Sequence, residues 1–375
     1  MARSESHSPP RSRREQTAKA PPYEGGVGEV KWNGSLMQRN FTNTALFYGV
    51  LMCLSVTGSS GQAPANVPPP AISTPAQQAP STAPFQVSPI TLPASPVLPA
   101  SMNLRAWLGF PTADVSINGS HERFGISTGL NANTVTPATA ARLQIPEGKT
   151  KVRVDILDRE VEATETSVKS LQIGLLKLEN VPIAQVDVVS LLSRTPHPDA
   201  PTGWLGTPFL AAFQVTFDLS HKVCSLEKPQ MKMPAGALVA PMTLRDGRLY
   251  VSVTLPKSKP FQAMLDTGTV LTLIPASVGE KLKLPALEVV KLGGTGGAEL
   301  HATLIQVPLV SVGKAECKAL RVAYLSADAG PGFGRETAVL GLDFLSRFKV
   351  VLNFEAKKVA FLPLVTAESA ANPQP

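Results

Sequence analysis

Cysteine is scarce in this chain. The 375 residues hold three, Cys53, Cys224 and Cys317, with no Cys-x-x-Cys pair and no metal-ligand spacing among them. A disulfide framework and a cysteine-built metal centre are thereby excluded. A single Cys224–Cys317 bridge and two buried free thiols both stay open. Aromatic residues are also few, at 6%, and no basic stripe is interleaved with them, which argues against a nucleic-acid surface. The net charge is +7, but up to Gly61 there are seven Lys/Arg against four Asp/Glu, so 28 basic and 24 acidic residues remain beyond it. That is an ordinary soluble surface. The five histidines form no defensible Ser-His-Asp arrangement and no metal cluster, so no metal and no cofactor is expected. Long apolar runs are missing too. The run Ala45–Val56 is too short for a comfortable membrane span.

Proline, by contrast, is abundant at 35 residues, and it is densest before position 100. The run Ala45–Val56 is followed by small residues, the form of a secretory signal peptide, and Met37 would supply a short basic lead. We therefore read 37–61 as a signal peptide. Residues 1–36 read as a disordered tail or as lying upstream of the true start. The protein is expected to be exported, periplasmic or extracellular, or else anchored to a membrane through 45–57. Residues 62–103, rich in Pro, Ala, Ser, Thr and Gln, read as an extended linker that buries too little apolar surface to fold.

Beyond Asn103 short runs of Val, Ile, Leu and Thr are broken by Gly, Pro, Asn and Asp. Period-two alternation bounded by turn residues predicts strands, and an all-β fold. Two stretches look helical, Pro137–Leu143 and Pro275–Leu282, each opening on a proline suited to a first turn. An internal repeat organises the rest. Nineteen residues separate Ser127 from Pro146, and nineteen separate Asp266 from Pro285. Further on, Gly203–Leu210 matches Ala338–Leu345, and strand-like tails follow both. The expectation is two copies of one β unit, 104–228 and 238–364.

The second copy carries Leu265-Asp266-Thr267-Gly268, a glycine-rich stretch Gly293-Gly294-Thr295-Gly296-Gly297, then Val339-Leu340-Gly341-Leu342-Asp343-Phe344-Leu345. This set resembles the retropepsin-like and pepsin-like aspartyl protease unit, and the N-terminal copy resembles it in outline. The resemblance implies two tandem acid-protease β-barrel units, packed in one arrangement as a pepsin-like bilobed body. It implies that Asp266 activates water for attack on a peptide carbonyl. Thr267 would tie the two active-site loops together, and Gly268 would permit their close approach. Gly293, Gly294, Thr295, Gly296 and Gly297 would form the tip of a mobile flap. Leu340 and Gly341 would support the active-site loop from behind. The implied partner is a peptide or protein substrate.

The first copy departs from the pattern. Its counterpart of Asp266-Thr267-Gly268 is Ser127-Thr128-Gly129. Two carboxylates about 3 Å apart share a proton and divide the acid and base roles, and a hydroxyl cannot do this. Charged residues from Lys151 to Ser170 also replace a glycine-rich flap. Two readings follow. In one, the chain is an aspartic endopeptidase that borrows a second Asp266 from another chain in a homodimer. In the other, it is an inactive pseudopeptidase that binds extended peptides. Other polar residues read as structural. Asp343 would cap the helical turn after it, Asp155 and Asp158 would lie on a solvated face, and His301 would be a surface or pairing residue. His121 and Glu122 would mark a hairpin turn.

Overall fold

The computed structural model describes residues 48–49, 52–53, 88–156, 159–192, 197–229, 232–293, 299–326 and 334–364. The predicted signal peptide lies outside these residues except for two short paired strands, β1 (Tyr48–Gly49) and β2 (Met52–Cys53). Among the described residues no helix is long and apolar enough to cross a membrane.

The chain then runs through β3 (Ala100–Trp107), β4 (Phe110–Ile117), β5 (Ser120–Ile126), β6 (Thr134–Val135) and α1 (Pro137–Arg142). Next come β7 (Thr150–Ile156), β8 (Arg159–Ile173), β9 (Leu176–Gln185), α2 (Val188–Leu192), β10 (Gly203–Leu205), α3 (Thr207–Leu210), β11 (Gln214–Asp218) and β12 (Val223–Glu227). The C-terminal half repeats the theme with β13 (Leu238–Arg245), β14 (Arg248–Thr254), β15 (Phe261–Leu265), α4 (Ala276–Leu282), β16 (Ala286–Gly293), β17 (Glu299–Val312) and β18 (Ala315–Leu325). It closes with β19 (Val339–Leu340), α5 (Leu342–Leu345), β20 (Phe348–Asn353) and β21 (Lys358–Pro363). The fold is all-β with short helices.

Alternation of side chains explains the strands. In β7, Val152, Val154 and Ile156 face inward while the residues between them carry charge. α1 starts where Thr136 accepts the Thr139 amide at 3.2 Å and Pro137 sets the first turn. Three helices, α2, α3 and α5, were not expected; at four or five residues they are too short to show a helical period.

The halves meet in one antiparallel sheet ordered β3-β12-β11-β20-β21-β13. At its centre Thr216 pairs with Val351, Gln214 with Asn353 and Phe217 with Val350. Each half contributes three strands, so an approximate two-fold axis passes between β11 and β20. The underlying core includes Phe209, Phe213 and Phe217 from one half and Phe344, Phe348 and Phe361 from the other.

The predicted linker 62–103 extends too far. Ser88 bonds through its amide and hydroxyl to the Glu165 carboxylate at 3.0 and 2.6 Å. Ile90 is buried, Leu92 and Leu98 pack on the core, and Ala100 already opens β3. Proline-rich composition concealed these apolar anchors.

Candidate active site

Each half builds its loop in the same way. Ser127 follows β5, which runs parallel to β10, and Asp266 follows β15, which runs parallel to β19. The Ser127 amide donates to the Leu205 carbonyl and the Asp266 amide to the Leu340 carbonyl, each at 3.1 Å. Leu340 thus fixes where the Asp266 loop leaves its strand. The Gly341 amide donates to Thr272 Oγ1 at 3.1 Å on the same loop.

The two loops are joined through threonines. Thr128 Oγ1 donates to the Leu265 carbonyl at 2.8 Å, and Thr267 Oγ1 donates to the Ile126 carbonyl at 3.1 Å. The Thr267 amide donates to Thr128 Oγ1 at 3.0 Å and the Thr128 amide to Thr267 Oγ1 at 3.2 Å. Both side chains are fully or nearly fully buried.

This joint brings Ser127 against Asp266. Ser127 Oγ donates to Asp266 Oδ1 at 2.9 Å. The same oxygen accepts the Gly268 amide at 2.7 Å and the Gly129 amide at 3.0 Å, while Oδ2 accepts Thr269 Oγ1 at 2.6 Å. Every one of these partners is a donor, matching the acceptor-only character of a carboxylate. The glycines are required by space. A Cβ on Gly129 would stand 2.4 Å from Asp266 Cγ, and one on Gly268 would stand 2.7 Å from Ser127 Oγ.

The two groups open onto a cleft whose walls include Leu130, Ile156, Val188, Trp204 and Met264. Asp155 also lines it, and the solvated-face reading of this residue is corrected here. Its side chain is 15% exposed, and Oδ2 pairs with Arg248 of β14 at 3.1 Å. Asn131 Nδ2 donates to the same oxygen at 3.2 Å, and Asn131 Oδ1 accepts the Asp155 amide at 2.8 Å. Burial pushes the Asp155 carboxyl up, Arg248 pulls it down, and Glu160 and Asp246 push it up again, with a net rise. No sequence pattern marked Asp155, because its partner lies on a strand of the other half.

Asp155 and Ile156 sit on the β7–β8 hairpin. Among the described residues a hairpin of the first half thus reaches the cleft, and the charged stretch between Lys151 and Ser170 forms it without a glycine-rich tip. The predicted flap tip Gly294, Thr295, Gly296 and Gly297 lies outside the described residues, and Gly293 ends β16 opposite Glu299.

Asp343 does not cap α5, whose N-cap is Gly341. Its carboxylate instead accepts Thr272 N at 2.9 Å, Thr272 Oγ1 at 2.6 Å and Phe344 N at 2.8 Å, which clamps the active-site loop to α5. Burial pushes its carboxyl up to about 6, against the pull of these bonds and of Arg347. Glu122 lies within β5 and is buried, receiving Arg142 at 2.7 Å and Thr202 at 2.9 Å. His301 stands across from Lys291 in the β16–β17 pair. Cys224 and Cys317 are buried free thiols. Among the described residues no group of His, Cys, Asp and Glu could hold a metal.

An aspartyl protease family model matches residues 113–209 and 251–344, just over half of the chain. Both matched segments include one of the two loops described above. A comparison with curated proteins found no match. Among solved structures the chain is similar to basic 7S globulin from soybean, at 12% identity, over 71% of this chain and 95% of that one, with a TM-score of 0.45.

Proposed function

Because the chain belongs to the aspartyl protease family, we propose that its cleft binds an extended polypeptide over Asp266 and that Ser127 holds hydrolysis at a residual level. The observation that carries this reading is the 2.9 Å hydrogen bond from Ser127 Oγ to Asp266 Oδ1 within one chain. In the chemistry of two carboxylates, one takes a proton from water and the other gives one to the scissile amide. Asp266 has the support needed for the first part. Ser127 can donate a hydrogen bond, but its hydroxyl has no acidic proton to deliver. Loss of a general acid costs about 10²–10⁴-fold in rate, or roughly 3–5 kcal/mol of barrier.

Binding needs no second carboxylate. An extended backbone can add to the hairpin strands that border the cleft, with side chains meeting its apolar walls. A homodimer that pairs two Asp266 residues would have to displace Ser127, which is only 6% exposed, and undo the threonine joint around it. That cost turns the reading toward the single chain. We also read 37–61 as an export signal, so the cleft would work outside the cytoplasm, with 45–57 as a membrane anchor in the alternative. N-terminal sequencing of the mature protein separates the two.

The test is a peptide library presented to the purified protein across pH 3–7, with binding followed by anisotropy and cleavage by mass spectrometry, and with Asp266→Asn alongside. Binding with little cleavage in both proteins is the expected result. Rapid cleavage that vanishes in Asp266→Asn and grows with dimer concentration would restore the two-chain enzyme.

A further inference from the structure

Building on the peptide-binding reading above, we infer that Asp155 is a specificity-determining residue that takes a basic side chain, Lys or Arg, of the bound polypeptide. Three observations converge on it. The first is position, since Asp155 lines the same cleft as Asp266, carried there by β7.

The second is an open acceptor. Asn131 donates a hydrogen bond to Asp155 Oδ2 and Arg248 forms an ion pair with the same oxygen, while Oδ1 receives no hydrogen bond from the described residues. Asp155 lines the cleft with its side chain 15% exposed, and a carboxylate so placed is a strong acceptor for a charged donor.

The third is the charge balance. Among the described residues, the groups acting on Asp155 are Arg248 and Arg153 on the positive side and Glu160 and Asp246 on the negative side. With Asp155 itself the set carries one more negative than positive charge. Among the described residues, Arg248 and Arg153 together leave one negative charge unbalanced. Burial and these acidic neighbours also push the Asp155 carboxyl up, which a bound cation would relieve. The adjoining wall of Leu130, Ile156, Val188 and Trp204 suits the methylene stem of a lysine or arginine, whose polar head could then reach Oδ1.

The competing account is that Asp155 and Arg248 only clip the β7–β8 hairpin to β14. Paired substitutions separate the two, because specificity and clipping move in different directions. Peptides carrying Lys or Arg would be compared with matched peptides carrying norleucine or Gln, by anisotropy at low and high salt, on the full protein, Asp155→Asn and Arg248→Gln. Melting temperatures would be recorded for each. We expect the full protein to favour the basic peptides by about tenfold or more at low salt, the worth of one hydrogen bond to a charged group. Asp155→Asn brings that ratio close to one, because basic peptides lose far more affinity than neutral ones. Arg248→Gln widens it, and salt narrows it.

A ratio that is the same in all three proteins, or equal weakening of basic and neutral peptides in both variants, overturns the inference and leaves the peptide-binding reading standing. Failure of every peptide to bind the folded full protein overturns that reading and the inference together.

Discussion

Thr128 and Thr267 hold each other's strands. Each hydroxyl donates to the carbonyl that ends the opposite strand, Leu265 or Ile126, and each accepts the other's amide. All of these atoms are buried, so none can turn to water if its partner is lost. Thr267→Val should leave the Thr128 amide and the Ile126 carbonyl unpaired, at about 1–3 kcal/mol for each orphaned group. The double variant Thr128→Val/Thr267→Val should cost less than the sum, because both singles break one shared network. Urea unfolding of the three variants measures this.

Ser127→Asp places a second carboxylate opposite Asp266, where Ser127 Oγ now donates to Oδ1. Cleavage of peptides that the protein binds should rise by about 10²–10⁴-fold at acidic pH. The rise should disappear on adding Asp266→Asn. Steady-state kinetics on one bound peptide is sufficient, and an unchanged rate would mean that position 127 does not limit the chemistry.

Asp343 makes stability depend on pH. Its folded value is about 6 against an ordinary 3.8, raised by burial. The sign follows from the protonated form being favoured in the fold. The contribution is complete below pH 3.8 and is lost as pH rises through 6, for a total of about 3 kcal/mol. Asp343→Asn should flatten the stability profile across that window, as read by chemical denaturation at half-unit pH intervals.

Asp218 has the opposite sign. Burial alone would raise its carboxyl, but bonds from Lys349, His221 and Ser220 outweigh it and bring the value to about 2. Its contribution is complete above pH 3.8 and is lost as pH falls through 2. Lys349 belongs to β20 and Asp218 to β11, so their 2.9 Å pair spans the seam between the halves. Lys349→Met should lower stability at neutral pH and shallow the acid limb below pH 4, visible in thermal melts from pH 2 to 6.

The repeat was legible because chemistry and spacing recur together. Ser127 and Asp266 each precede Thr-Gly, and a proline follows each at the same distance. Alternating Val and Ile then announced the strands around both loops. What stayed hidden depended on long-range partners. Asp155 reads as one more charge on an exposed strand until Arg248 is seen against it. Asp343 looks like a local cap, but Thr272 is what it holds. Ile90 sits among prolines, and only the folded core shows that it is buried. The glycine-rich stretch beyond Gly293 lies outside the described residues, while β7 and β8, which carry a hairpin that lines the cleft, contain no glycine.

The central pairing of Thr216 with Val351 also says what the covalent link between the halves prevents. β11 lies along β20 throughout their pairing, so the C-terminal half is denied contact with its own likeness. Within one chain, β11 thus occupies the edge of β20 along which a second C-terminal half would have to pair.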